Sequence, residues 1–130
     1  TLLEPSTPTT GRELMLTMTL PLPAVSLIII SADPGHAPAP VTRLRTRRYD
    51  GLIEPGCMIA WDPAVDARMI QTYEVGYSIS SDGPFERVNP VDTICTAYLH
   101  GNPPANGWYR VRAVDYWGRT TDSKPISIGD

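Results

Sequence analysis

Lysine is almost absent. Lys124 is the only one in 130 residues, and nearly all the positive charge is arginine. Charge as a whole is sparse at 19%, and a net charge of −3 leaves no basic excess. A nucleic-acid partner is therefore not expected. No apolar run approaches the roughly 20 residues of a membrane helix, so no membrane partner is expected either. Thr1 opens no charged segment followed by an apolar one, so no signal peptide is visible. The chain does not begin with Met, which reads as a cut piece or a mature form. Histidine and cysteine are scarce: His36 and His100, Cys57 and Cys95, at spacings unrelated to a metal cluster. No Gly-rich phosphate loop or nucleophile elbow is present. No metal, cofactor or catalytic residue is expected on this chain.

Proline is abundant, with 14 residues beside 10 glycines, and these fall between apolar runs. With 42% hydrophobic residues the chain can fold, and this punctuation favours many short strands and turns over helices. The expected class is all-β. Residues 1–10, with Pro5, Pro8 and four threonines, read as a flexible lead-in. Residues 11–31 hold two strands: Leu14–Leu20, which alternates, and Val25–Ser31, apolar on both faces. Two strands do not make a stable sheet alone. They either join the following domain or complete a larger sandwich upstream. Residues 32–40, Ala-Asp-Pro-Gly-His-Ala-Pro-Ala-Pro, form a semi-rigid linker with His36 solvated.

Residues 41–130 are regular. Strands are expected at Val41–Arg48, Cys57–Trp61, Thr72–Ser80, Phe85–Val88, Ile94–Leu99, from Trp108, and at Ser123–Ile128. Turn signals are Asp50-Gly51, Pro55-Gly56 and Ser81-Asp82-Gly83-Pro84. Alternation places Cys57, Ile59 and Trp61 on one face, and Tyr73, Val75, Tyr77 and Ile79 on another. The strand from Trp108 organises the domain: Tyr109, Val111 and Ala113 face inward, Arg110 and Arg112 outward with Trp108, and Asp115 and Gly118 suit the turn that follows. The expected core is Trp61, Tyr73, Val75, Tyr77, Tyr109, Val111 and Ala113.

This pattern resembles a fibronectin type III domain. Trp61 with Pro63, Tyr73-x-Val75-x-Tyr77, the Ser80–Gly83 turn and Arg110-Val111-x-Ala113-Val114-Asp115 carry the likeness. Gly107 stands where that family has its corner tyrosine, and Tyr109 where an inward aliphatic is usual, so the corner hydrogen bond is not expected. Longer runs resemble the C-terminal end of the α-L-iduronidase family of glycoside hydrolases: Gly11–Leu14, Leu27–Ile30, Val41–Arg45, Thr72–Glu74 and Tyr109–Trp117. That resemblance spans about residues 11–128. It implies a lysosomal or secreted parent with a catalytic (β/α)8 barrel and a β-sandwich upstream. Residues 11–31 would be the last strands of that sandwich, followed by a seven-stranded type III/Ig-like sandwich. The parent would remove terminal iduronic acid from glycosaminoglycans, dermatan and heparan sulfate. The alternative is a free-standing type III adhesion or receptor module.

Retaining glycosidases use two carboxylates about 5 Å apart. In the family these lie on the barrel. None of Glu4, Glu13, Glu54, Glu74 and Glu86 fits its motifs, so this chain would stabilise or complete the enzyme without catalysing. The type III topology makes the strands of Cys57 and Cys95 neighbours in one sheet. With an oxidising compartment, a Cys57–Cys95 disulfide is one reading and two buried thiols the other. Arg43, Arg45 and Arg47 share a strand face. They are either a contact for sulfated glycosaminoglycan, which arginine forks suit, or a solvated face paired with acidic residues.

Overall fold

A computed structural model describes residues 36–51, 54–65 and 69–129. The lead-in and the strands expected within 11–31 lie outside the described residues, as do residues 32–35 of the linker. Among the described residues the regular elements are eight β-strands: β1 Thr42–Asp50, β2 Pro55–Asp62, β3 Ile70–Ser78, β4 Glu86–Arg87, β5 Ala97–Gly101, β6 Trp108–Asp115, β7 Thr120–Asp122 and β8 Ile126–Ser127. They form two antiparallel sheets. One has the order β1-β2-β5, and the other β4-β3-β6-β7, with β8 also pairing with β6. The domain is the expected all-β, type III-like sandwich.

The core lies where alternation puts it. Cys57, Ile59 and Trp61 of β2 meet Tyr73 and Val75 of β3 and Tyr109, Val111 and Ala113 of β6, all buried. The Trp61 and Tyr73 rings meet edge to face with centroids 5.5 Å apart, a favourable aromatic geometry. Ile79 departs from expectation. β3 ends at Ser78, so Ile79 escapes the pleat and is 75% exposed. Tyr77 keeps its inward parity but is only partly buried, because its ring reaches past the core to the end of the sandwich.

Other boundaries moved for local reasons. Pro55-Gly56 is not a turn but the start of β2, paired with Asp50 and Tyr49. The last expected strand, Ser123–Ile128, shortens to β8, which begins only after Pro125, a residue with no N–H to donate, and β7 at Thr120–Asp122 is an additional strand ahead of it. β4 is only two residues long. After Val88, Asn89 replaces the backbone with its side chain: its Oδ1 accepts from Val75 N at 2.7 Å, and its Nδ2 donates to Tyr73 O at 3.0 Å. Pro90 follows and cannot donate. The fifth strand begins at Ala97, not Ile94, and Ile94 is 72% exposed.

Gly107 explains the missing corner tyrosine. Its φ is +151°. A Cβ there would lie 2.3 Å from Tyr77 Cε2 and 2.5 Å from its hydroxyl. The tyrosine of the neighbouring strand occupies the space, and its hydroxyl donates to Asn106 O at 2.6 Å. The corner hydrogen bond is thus made from β3 instead of β6. Gly107→Ala should destabilise the domain by about 1–3 kcal/mol through overpacking, and Tyr77→Phe by about 1 kcal/mol through the lost hydrogen bond. Urea unfolding of the two variants checks this. A loss at Gly107 no larger than at Tyr77 would show that the ring moves aside freely.

Candidate functional site

The chemistry-bearing side chains fall into three groups: the arginines of β1, a charged ladder on the outer face of the larger sheet, and a polar cluster inside the sandwich.

On β1 the register slips between Thr42 and Arg45, and Arg43 has a φ of +49°. The slip removes Arg43 from the regular alternation with Arg45 and Arg47, so the three do not form one even row. Asp62, at the end of β2, holds two of them, Arg43 at 3.4 Å and Arg45 at 3.2 Å. All three arginines are exposed. Arg48 has the opposite parity. It reaches over the end of the sandwich to the carbonyl oxygens of Pro104 and Ala105.

On the larger sheet, Glu74 lies opposite Arg112, and Arg112 opposite Asp122. Arg112 Nε donates to Asp122 at 2.7 Å, and Arg110 lies 3.0 Å from the same carboxylate. Arg87 joins Glu74 at 3.3 Å and Asp92 at 2.8 Å. The guanidinium of Arg110 stands 4.5 Å over the ring of Phe85. The Arg112 hydrogen bond, with the Arg110 and Arg112 charges, holds the Asp122 carboxyl below its usual range. Three guanidinium groups are thus met by three carboxylates. The carboxylates are engaged as ion-pair acceptors. Sequence reading placed Arg110 and Arg112 outward but missed Asp122, whose position depends on the β6–β7 register. That hairpin is set by Asp115, which is buried and accepts from Trp117 N and Arg119 N at 2.9 Å each and from Arg119 Nε at 2.7 Å.

Inside the sandwich, His100 Nδ1 lies 2.8 Å from the Tyr109 hydroxyl, and the Cys57 thiol interacts with the same hydroxyl. Burial pushes the Tyr109 hydroxyl and the Cys57 thiol up and His100 down. A raised thiol is a poor nucleophile, since the thiolate is the reactive form. The cluster therefore serves as a satisfied polar seam between the sheets.

The Cys57–Cys95 pairing must be corrected. Both cysteines are free, Cys57 buried and Cys95 exposed. The strands are neighbours, but the register puts Cys57 opposite His100. Cys95 precedes β5, well along the strand direction, beyond the reach of a disulfide. Among the described residues no group of three His, Cys, Asp or Glu side chains could hold a metal ion.

Fold and surface together describe a β-sandwich module in which Glu74, Asp92, Asp115 and Asp122 are paired with arginines of the same domain. Residues 51–127 match the family described as the alpha-L-iduronidase C-terminal domain. The chain is 35% identical to the dog (Canis lupus familiaris) alpha-L-iduronidase over 115 residues, which is 86% of this chain and 17% of that protein. It is 33% identical to the human protein over 114 residues, 84% of this chain and 16% of that one. A solved structure described as the bacterial orthologue of human α-L-iduronidase superposes with a TM-score of 0.62 at 36% identity, over 73% of this chain and 15% of that one. The chain belongs to the α-L-iduronidase C-terminal domain family, and it spans less than a fifth of the length of the relatives it matches.

Two predictions follow from the interior. In the native protein a thiol reagent such as Ellman's should modify one cysteine, Cys95, with Cys57 reacting only on unfolding. A need for reductant before either reacts would restore the disulfide. His100 has a folded pKa below its unfolded value. Its contribution to stability is therefore complete above about pH 6.5 and falls as the pH drops toward the folded pKa. His100→Gln, which keeps an acceptor for Tyr109 but does not titrate, should lessen the fall in Tm between pH 7 and pH 5. An unchanged fall would place the acid sensitivity elsewhere.

Proposed function

We propose that this chain is the non-catalytic C-terminal part of a lysosomal or secreted glycoside hydrolase resembling α-L-iduronidase. The parent's activity would be removal of terminal iduronic acid from glycosaminoglycans, with catalysis on an upstream (β/α)8 barrel. The domain stabilises and completes that enzyme. The observation that carries this reading is the family match over residues 51–127. It is supported by the relatives' names and by carboxylates tied into ion pairs on the described surface.

The arginine reading follows the same weighing. Arg43 and Arg45 are shared with Asp62, so they would act as a paired strand face more than as a sulfate contact. Alanine at Arg43, Arg45 and Arg47 should leave heparin retention unchanged.

The full-length protein carrying this domain should cleave a fluorogenic α-L-iduronide. Trp61→Ala in that protein should destabilise the domain by about 3–5 kcal/mol. The yield of folded enzyme and its Tm should fall, while kcat and KM of the surviving enzyme stay near wild type. Absence of iduronidase activity in the wild-type protein would overturn the enzyme reading in favour of an adhesion-type module. A specific loss of kcat in stable, folded Trp61→Ala protein would overturn the non-catalytic role.

A further inference from the structure

The chain has three asparagines, Asn89, Asn102 and Asn106. An asparagine side chain is open to attack by the backbone nitrogen of the next residue, which closes a cyclic imide. Proline follows Asn89 and Asn102 and has no N–H to lose in that step. Asn89 is also buried, its side chain bound to Val75, Tyr73 and Val91, and Asn102 donates to Glu54. Glycine follows Asn106. Asn106 is exposed, in the bend that leads into β6, while Gly107 is buried. Among the described residues no hydrogen bond engages the Asn106 side-chain amide or the Gly107 N–H. The fold itself demands that glycine, since a Cβ at 107 would strike the Tyr77 ring. The residue after Asn106 is thus the one type with no Cβ to shield its nitrogen.

We propose that Asn106 is a modification site, where the Gly107 nitrogen displaces ammonia and the residue becomes aspartate or isoaspartate. Gly107 N gives up its proton and bonds to Asn106 Cγ. The bond from Cγ to the side-chain nitrogen breaks, and ammonia leaves. Water then opens the imide at either carbonyl. Opening at Cγ leaves aspartate in an ordinary main chain. Opening at the other carbonyl leaves isoaspartate, with the main chain running through Cβ. One water is consumed, one ammonia is released, and nothing is oxidised or reduced. Two features favour the deprotonated nitrogen that attacks. Its charge is shared with Asn106 O, which accepts from the Tyr77 hydroxyl at 2.6 Å. Arg48 brings positive charge to Pro104 and Ala105 just ahead. The exposed side chain lets ammonia leave and water enter. In the isoaspartate form the carbonyl held by Tyr77 is no longer part of the main chain, so the tie between β3 and the approach to β6 is lost. None of these steps depends on the activity of the parent protein.

The test incubates the full-length native protein at mildly alkaline pH beside the same protein in guanidinium. Trypsin releases residues 88–110 as a single peptide holding all three asparagines, so Asn89 and Asn102 are internal controls. Digestion in heavy-oxygen water marks any change made during handling. Mass spectrometry with fragmentation locates the exchange of amide nitrogen for oxygen and separates the two products. The expected result is conversion at position 106 alone, to both products. The native rate should fall within about tenfold of the unfolded rate and drop severalfold at mildly acidic pH. No native conversion at 106, or a rate below that margin, would overturn the proposal, as would equal conversion at Asn89 or Asn102. Asn106→Gln, whose attack needs a larger ring, should lose the acidic species; its persistence would overturn the assignment to Asn106. The isoaspartate fraction, isolated by charge, should have a lower Tm than fresh protein. An equal Tm would overturn the loss of the Tyr77 tie.

Discussion

The hydrogen bond between Tyr109 and His100 is the constraint around which this sandwich is arranged. Tyr109 is fully buried on β6, in one sheet, and His100 stands on β5, in the other. A hydroxyl taken out of water must find a partner, and here that partner is 2.8 Å away across the core. The bond sets the spacing of the sheets at that end. It also decides which residues surround it. Cys57 sits beside the hydroxyl, and Tyr77 packs edge to face against both rings at 5.5 and 5.9 Å. Tyr77 in turn needs Gly107 to be a glycine, and its hydroxyl holds the loop before β6. Arg48 closes the same end by holding Pro104 and Ala105. One buried aromatic hydroxyl thus connects four strands and a loop.

The opposite end of β6 is organised by another polar group out of water. Asp115 is 1% exposed and receives two backbone N–H groups and the Arg119 side chain. A carboxylate buried with three donors is tolerable where an unpaired one is not. By fixing this hairpin, Asp115 sets the register that puts Asp122 beside Arg110 and Arg112. The ladder on the outer face follows from the turn. This economy suits an accessory domain: these charges hold its own fold.

Much of the fold was legible in the order of residues, because strand periodicity is a local property. Alternation named Trp61, Tyr73, Val75, Tyr109, Val111 and Ala113 as core, and the long Tyr109–Trp117 likeness pointed to the family. Strand ends were less legible where side chains took over backbone roles, as Asn89 does beside Val75, or where Pro125 delayed a strand that reads as starting at Ser123. Pairings across strands were not legible at all. Cys57 meets His100 and not Cys95, Asp62 collects Arg43 and Arg45, and Tyr77 supplies the corner bond that a glycine at 107 forfeits. Each depends on register, and a shift along a strand changes every partner while leaving the pattern of the sequence untouched. The sequence by itself determined the sandwich, its core and its kinship; only the tertiary structure decided which polar groups meet, because those meetings are set by the stacking of two sheets.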